Sequence, residues 1–188
     1  MKKYVLLFCL AGFAFGETSL ELDPAKTEIN FTLHDPLHTV HGNFKLKRGT
    51  VHFDPETGKA GGEIVIDVAS GQSGNGSRDK RMQKEVLESQ KYPEALFVID
   101  SVKGRLESEG ESTLDMHGLF KIHGADHAMT LTFLVDAVGG GHYNATSHFD
   151  IPYVAWGMKD PSNFLLKVDK KVEIEVKAAA GPRIEAAR

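Results

Sequence analysis

The sequence predicts an all-β fold in which about eight antiparallel strands close into one barrel, with a single short helix covering an opening. Three observations point there. Apolar and polar residues alternate with a period of two along most of the chain, as strands with one buried face require. The connections between these runs are short and rich in Gly, Pro and Asp, which makes neighbouring strands antiparallel. Only the stretch from Arg78 to Glu88 reads as a helix, so the crossovers that a parallel sheet needs are missing.

At the N-terminus, Lys2 and Lys3 precede an apolar run from Tyr4 to Phe15 that closes in Ala14-Phe15-Gly16, the pattern of a secretory signal peptide. As a helix this run would rise about 18 Å, well short of a hydrocarbon core of about 30 Å, so no stable membrane span is expected. Residues 1–16 are therefore expected to leave after Gly16, delivering the mature chain to a periplasm or to the outside. Cys9, the sole cysteine, goes with them. Without thiols the mature chain has no disulfide and no thiolate ligand, and its stability must come from burial. Loss of Lys2 and Lys3 from the 22 basic residues leaves 20 against 26 acidic ones, a net charge of −6. That balance disfavours nucleic acid or an anionic membrane surface as partner.

Residues 17–180 are long enough for one barrel domain with its own core. Strands are expected near Thr27 to Leu33, Gly42 to Phe53 and Ile64 to Ala69. The helix follows Asn75-Gly76-Ser77 as a capping segment, sets Met82 and Val86 four apart on one face, and ends at Tyr92-Pro93. Further strands are expected at Ala95 to Val102, Leu114 to Ile122, Met129 to Val135, Tyr143 to Ile151 and Val172 to Val176. In the last of these the charged Glu173 and Glu175 must face water. Gly181-Pro182 is expected to break the final strand and leave 181–188 as a flexible tail.

Several local strings carry a resemblance that spans about Leu20 to Ala178. They are Asn75-x-x-Arg78-Asp79 leading to Val86-Leu87-Glu88-Ser89, Lys91-Tyr92-Pro93-x-Ala95-x-Phe97, Val102-Lys103-Gly104, and Gly118-x-Phe120-x-Ile122-x-Gly124 ahead of Met129-Thr130-Leu131. In these the chain resembles the YceI-like family of lipocalin-like barrels. The resemblance implies a barrel whose interior takes a polyisoprenoid or fatty chain in a periplasmic or secreted setting. It implies neither catalytic residues nor a cofactor.

An eight-stranded barrel is wide enough either to be filled by its own side chains or to hold one small ligand. Phe31, Leu33, Leu131 and Phe133 on strands, Trp156 and Phe164 near the end of the barrel, and Met82 and Val86 on the helix are the expected ligand-binding residues. The glycine-rich segment from Gly71 to Arg78 runs into the helix, where Ser77, Arg78 and Arg81 are placed to meet an anionic head group. Ser77-Arg78 stands where a nucleotide P-loop would require Lys-Ser or Lys-Thr, which excludes that motif. Nine histidines supply the alternative, a metal- or haem-binding exported protein. His38 with His41, or His123 with His127, would each supply two nearby imidazoles. No enzyme is expected, since neither a Gly-x-Ser-x-Gly elbow nor a His-Glu-x-x-His pair occurs. A lipid ligand is thus the expected partner, and the sequence leaves the protein free to act as a homodimer.

Overall fold

The computed structural model describes residues 18–54, 59–164 and 167–183. The expected signal peptide and most of the expected tail lie outside them. Among the described residues there are nine antiparallel strands: β1 (Thr18–Leu22), β2 (Glu28–His34), β3 (Thr39–Phe53), β4 (Ala60–Gln72), β5 (Glu94–Lys103), β6 (Gly110–Ile122), β7 (Ala125–Gly139), β8 (His142–Ile151) and β9 (Val172–Pro182). Their order in the sheet is β1-β3-β2-β9-β8-β7-β6-β5-β4, and pairing of β3 with β4 closes the barrel.

The ring has eight staves because β1 and β2 share one. β3 runs for 15 residues, while β2 runs for seven and pairs only with its first half, up to Phe44. The vacant half is taken by β1, which lies against Thr50 to Phe53 on one side and Ala180 to Pro182 on the other. This explains two departures from the sequence reading. Five residues of β1 were not expected as a strand, and β9 continues through Gly181 and Pro182, where a break was expected, because β1 pairs with them. Pro182, at the last position of the strand, is tolerated at such an end.

The alternation holds as a physical rule. On β6 Leu114, Met116 and Phe120 are buried, and on β7 Leu131, Phe133 and Val135 are buried, while Thr130, Thr132 and Leu134 face out. The hairpins joining β2 to β3 and β6 to β7, the segment from β4 to β5 and the loop from β8 to β9 all gather at one end of the barrel, the upper end below. Gly118 allows β5 and β6 to meet closely, since a Cβ there would stand 2.2 Å from the carbonyl oxygen of Val98.

Candidate ligand-binding site

A cavity of about 390 Å³ opens at the upper end, between the barrel and the elements that cover it. Its wall inside the barrel includes Phe31, Leu33, Phe44, Ile122, Ile151 and Ile174. The cover consists of the helical segment, the turn between β2 and β3, and the loop between β8 and β9. Between 300 and 1,000 Å³ is the usual range for small-ligand pockets, and apolar walls with a few polar groups are their usual lining.

The helical segment forms because its first amides are locally satisfied. Asn75 takes an extended backbone and its Oδ1 accepts from the N–H groups of Ser77 and Arg78, both at 3.1 Å. Helix α1 (Gly76–Arg81) then widens into a π turn, Met82–Val86, in which the Leu87 N–H donates to the Met82 carbonyl at 2.9 Å. Gln83 Nε2 ties this turn to β4 by donating to the Val68 carbonyl at 2.9 Å and the Gly71 carbonyl at 3.2 Å. At Gly71 a Cβ would lie 2.3 Å from the Phe44 ring of β3 and 2.9 Å from Gln83 Nε2 of the π turn, so the close packing of barrel and helical segment there requires glycine. The result turns Met82, Val86 and Leu87 into the cavity.

The loop from β8 to β9 is tied on several sides. Tyr153 donates its phenol to the Asp169 carbonyl at 2.7 Å, the Asp169 N–H donates to His34 O at 2.9 Å, and Lys159 Nζ donates to Glu85 of the helical segment at 2.7 Å. Burial, reinforced by the charges of Asp160 and Asp169, pushes the Tyr153 phenol up to about 12. The neutral phenol is the bonded form, so its contribution is complete below the unfolded value near 10 and is lost as pH rises through about 12. Tyr153→Phe is expected to cost about 1 kcal/mol. Denaturation midpoints from pH 7 to 12 check this: the gap between variant and parent stays constant to about pH 10 and narrows above it.

In the turn between β2 and β3, Asp35 Oδ1 accepts from the N–H groups of Leu37 and His38, both at 2.8 Å. The Leu37 amide, with smaller contributions from His38, holds this carboxyl below the usual range against the opposing effect of burial.

Of the expected lining residues, Phe31, Leu33, Met82 and Val86 stand on the cavity. Leu131 and Phe133 face the barrel interior but lie deeper. Phe133 borders a second, wholly apolar space of about 60 Å³ at the lower end, together with Leu20, Val51, Met116 and Ala178. Between the two spaces the staves carry Ile29, Leu46, Phe97, Phe120 and Leu131, all buried and lining neither. The barrel is therefore hollow above, closed at an apolar waist and nearly filled below.

Trp156 also lies off the cavity. Its indole stacks on His127 at 3.9 Å with planes 6° apart and meets Phe120 at 6.0 Å, so it plugs the β6–β7 side of the opening. Phe164 is 95% exposed and lines no part of the cavity, contrary to its expected place in the lining. It stands on a loop, where no alternation fixes the direction of a side chain.

Arg78 and Arg81 line the cavity, whereas Ser77 does not. The amides expected to receive an anion are taken: those of Ser77 and Arg78 by the Asn75 side chain, and that of Asp79 by the Asn75 carbonyl at 2.9 Å. Arg78 Nε donates to Ser73 Oγ at 2.7 Å, and Arg81 Nε lies 3.5 Å from Glu85. Arg78 Nη2 also donates to the Ser73 carbonyl at 2.8 Å and Arg81 Nη2 to the Pro161 carbonyl at 3.4 Å, so any contact with a head group falls to the remaining guanidinium N–H groups.

The histidines do not converge. His38 lines the cavity, with Nδ1 3.6 Å from Asp35, while His41 lies on the outer face with Nδ1 3.2 Å from Thr32 Oγ1. His123 packs on Tyr92 at 4.7 Å and stands 3.8 Å from Glu88, whereas His127 packs on Trp156. Among the described residues no group of three or more His, Cys, Asp or Glu is placed to hold a metal ion. No described helix is long and apolar enough to cross a membrane.

Comparison with known proteins agrees with this geometry. Residues 20–180 match the model of the YceI-like domain. UPF0312 proteins of Pseudomonas savastanoi and Pseudomonas syringae are each 32% identical over 147 residues, covering 72% of this chain and 72% of theirs. Among solved structures, a polyisoprenoid binding domain from Saccharophagus degradans implicated in plant cell wall breakdown superposes with a TM-score of 0.72 at 15% identity, covering 88% of this chain and 99% of its own. Burkholderia cenocepacia BcnA gives 0.69 at 20% identity, over 84% and 98%. The Campylobacter jejuni YCEI protein gives 0.64 at 18% identity, over 97% and 99%. With a closed eight-stave barrel covered by one helix, and a family match that runs from β1 into β9, this chain belongs to the YceI-like family.

Proposed function

We propose that this protein is an exported carrier of a polyisoprenoid or other lipid chain, held in the upper cavity in a periplasmic or extracellular setting. The observation that carries the reading is an open space of about 390 Å³ with almost wholly apolar walls, roofed by Met82, Val86 and Leu87. The fold shared with a polyisoprenoid binding domain supports it, and the Lys2-Lys3 and Tyr4 to Phe15 pattern supports export.

The cavity also sets a length. At about 30 Å³ for a water-sized group, it holds roughly a dozen methylene-sized groups, or two to three isoprene units. Each buried unit contributes very roughly 2 to 3 kcal/mol before ordering costs, so a chain of this length needs no strong polar contact. The waist blocks deeper entry, and a longer chain leaves its remainder at the mouth, where the guanidinium N–H groups of Arg78 and Arg81 that are not bonded to Ser73 and Pro161 meet an anionic end. Replacing both arginines by Gln is expected to weaken a prenyl phosphate about tenfold and its alcohol little; equal loss for both in a competition assay would remove the head-group role.

Mass spectrometry of an organic extract from protein purified without detergent tests the main reading. A co-purifying prenyl or acyl chain is expected. If the extract is empty and the protein takes up no prenyl alcohol in titration, it is not a lipid carrier.

A further inference from the structure

We propose that the upper end of the barrel is a membrane-docking face that seats on a bilayer containing anionic phospholipid, with Leu37 and Phe164 as its apolar anchors. This deepens the carrier reading and rests on it, because the bilayer is where a lipid chain would be collected or delivered.

The mouth is built from the tight β6–β7 turn at His123-Gly124 and three longer segments: the turn at 34–39, the stretch 73–93, and the loop described at 152–164 and 167–171. The turn and the loop are joined by the hydrogen bond from the Asp169 N–H to His34 O at 2.9 Å. Each carries an anchor. Leu37 is 75% exposed and Phe164 95%, the two highest values among the large apolar side chains of the described residues. In sequence Leu37 lies between Asp35 and His38, and Phe164 falls within the stretch from Pro161 to Val168, and all four of these bounding residues line the cavity. The other exposed apolar side chains are elsewhere: Leu119 and Leu134 on the outer wall, and Val138 at the lower end of β7. An apolar side chain left in water at the rim of an apolar cavity gains free energy only when something apolar covers it.

Charge selects the occupant. Across 34–39, 73–93 and 152–171 the sequence places nine Lys and Arg against six Asp and Glu, in a chain whose net charge is −4. Lys80, Lys84, Lys167 and Lys170 are exposed in this collar. The whole-chain charge disfavours an anionic membrane, but the partner meets only one end, and at that end the sign is reversed. Apolar tips entering the acyl boundary while lysines meet the lipid phosphates above them is the arrangement by which proteins bind an interface without spanning it. A mouth pressed onto the bilayer would also let a prenyl chain pass into the cavity without crossing water.

The test is co-sedimentation of the purified protein with vesicles of phosphatidylethanolamine and phosphatidylglycerol, and with vesicles of phosphatidylcholine alone. The parent should partition preferentially onto the anionic vesicles, and a Leu37→Ser, Phe164→Ser double variant should lose about a hundredfold in partitioning. Its uptake of a short prenyl alcohol from solution should be unchanged, because neither residue lines the cavity. Lys80→Gln with Lys84→Gln should lower partitioning several-fold and only on anionic vesicles. Equal partitioning of parent and double variant overturns the proposal. So does a dimer of the parent that the double variant loses, which would make a second copy of the chain the occupant. Vesicle binding as described with no uptake of prenyl alcohol would uphold the docking face and overturn the carrier reading.

Discussion

Replacing Leu33 and Val86 together by Trp is expected to lower affinity for a prenyl alcohol about a hundredfold while leaving the thermal midpoint within a few degrees of the parent. The two side chains face the upper cavity from opposite sides, one from β2 and one from the covering helix. Two indoles would expel three to four methylenes of the ligand, each worth about 0.8 kcal/mol of burial, which corresponds to the stated loss of affinity. Stability should hold because the added rings enter open space instead of a packed core, and filling such space is generally neutral or favourable. Titration calorimetry and thermal unfolding of the same variant separate the two effects. A variant that binds as tightly as the parent would place the ligand elsewhere.

Leu131→Ala is expected to lower stability while raising affinity for long chains. Leu131 is 5% exposed at the waist and lines neither internal space. Truncating a buried leucine costs about 3 kcal/mol, which in a chain of this size lowers the thermal midpoint by about 6 to 12 °C. The missing side chain opens the waist downward, toward the space bordered by Phe133. Prenyl alcohols longer than about three units should then bind about tenfold more tightly relative to the parent, with shorter ones unaffected. An unchanged length profile in the destabilised variant would show that the waist does not limit the chain.

The alternation of side chains made most of the barrel legible, because period two follows from the pleat and needs no tertiary information. Val172, Ile174 and Val176 set against Glu173 and Glu175 could hardly be anything other than a strand with one wet face. β1 escaped because its role depends on the unequal lengths of β2 and β3, a relation no local pattern contains. Depth was equally hidden. Alternation tells which way Phe31 and Phe133 point but not how far down the barrel each stands, so residues of both compartments were grouped together. The cover was read only in part. Met82 and Val86 were found by their spacing on the helix, whereas Tyr153, Met158, Pro161 and Val168 sit on a loop held by hydrogen bonds between residues distant in sequence. The polar segment before the helix was legible in part: Asn75 caps the helix as its place predicts, and in doing so it takes the Ser77 and Arg78 amides that were expected to meet an anion.

Photocrosslinking bears most directly on the claim that a lipid chain lodges between the helix and the upper barrel. A farnesol-length alcohol carrying a diazirine on its terminal isoprene unit would be bound, irradiated and the modified peptides sequenced. Adducts on Met82, Val86, Phe31 or Ile122 are predicted, all lost on competition with unlabelled alcohol. Adducts confined to the outer faces of the strands, or insensitive to competition, would contradict it.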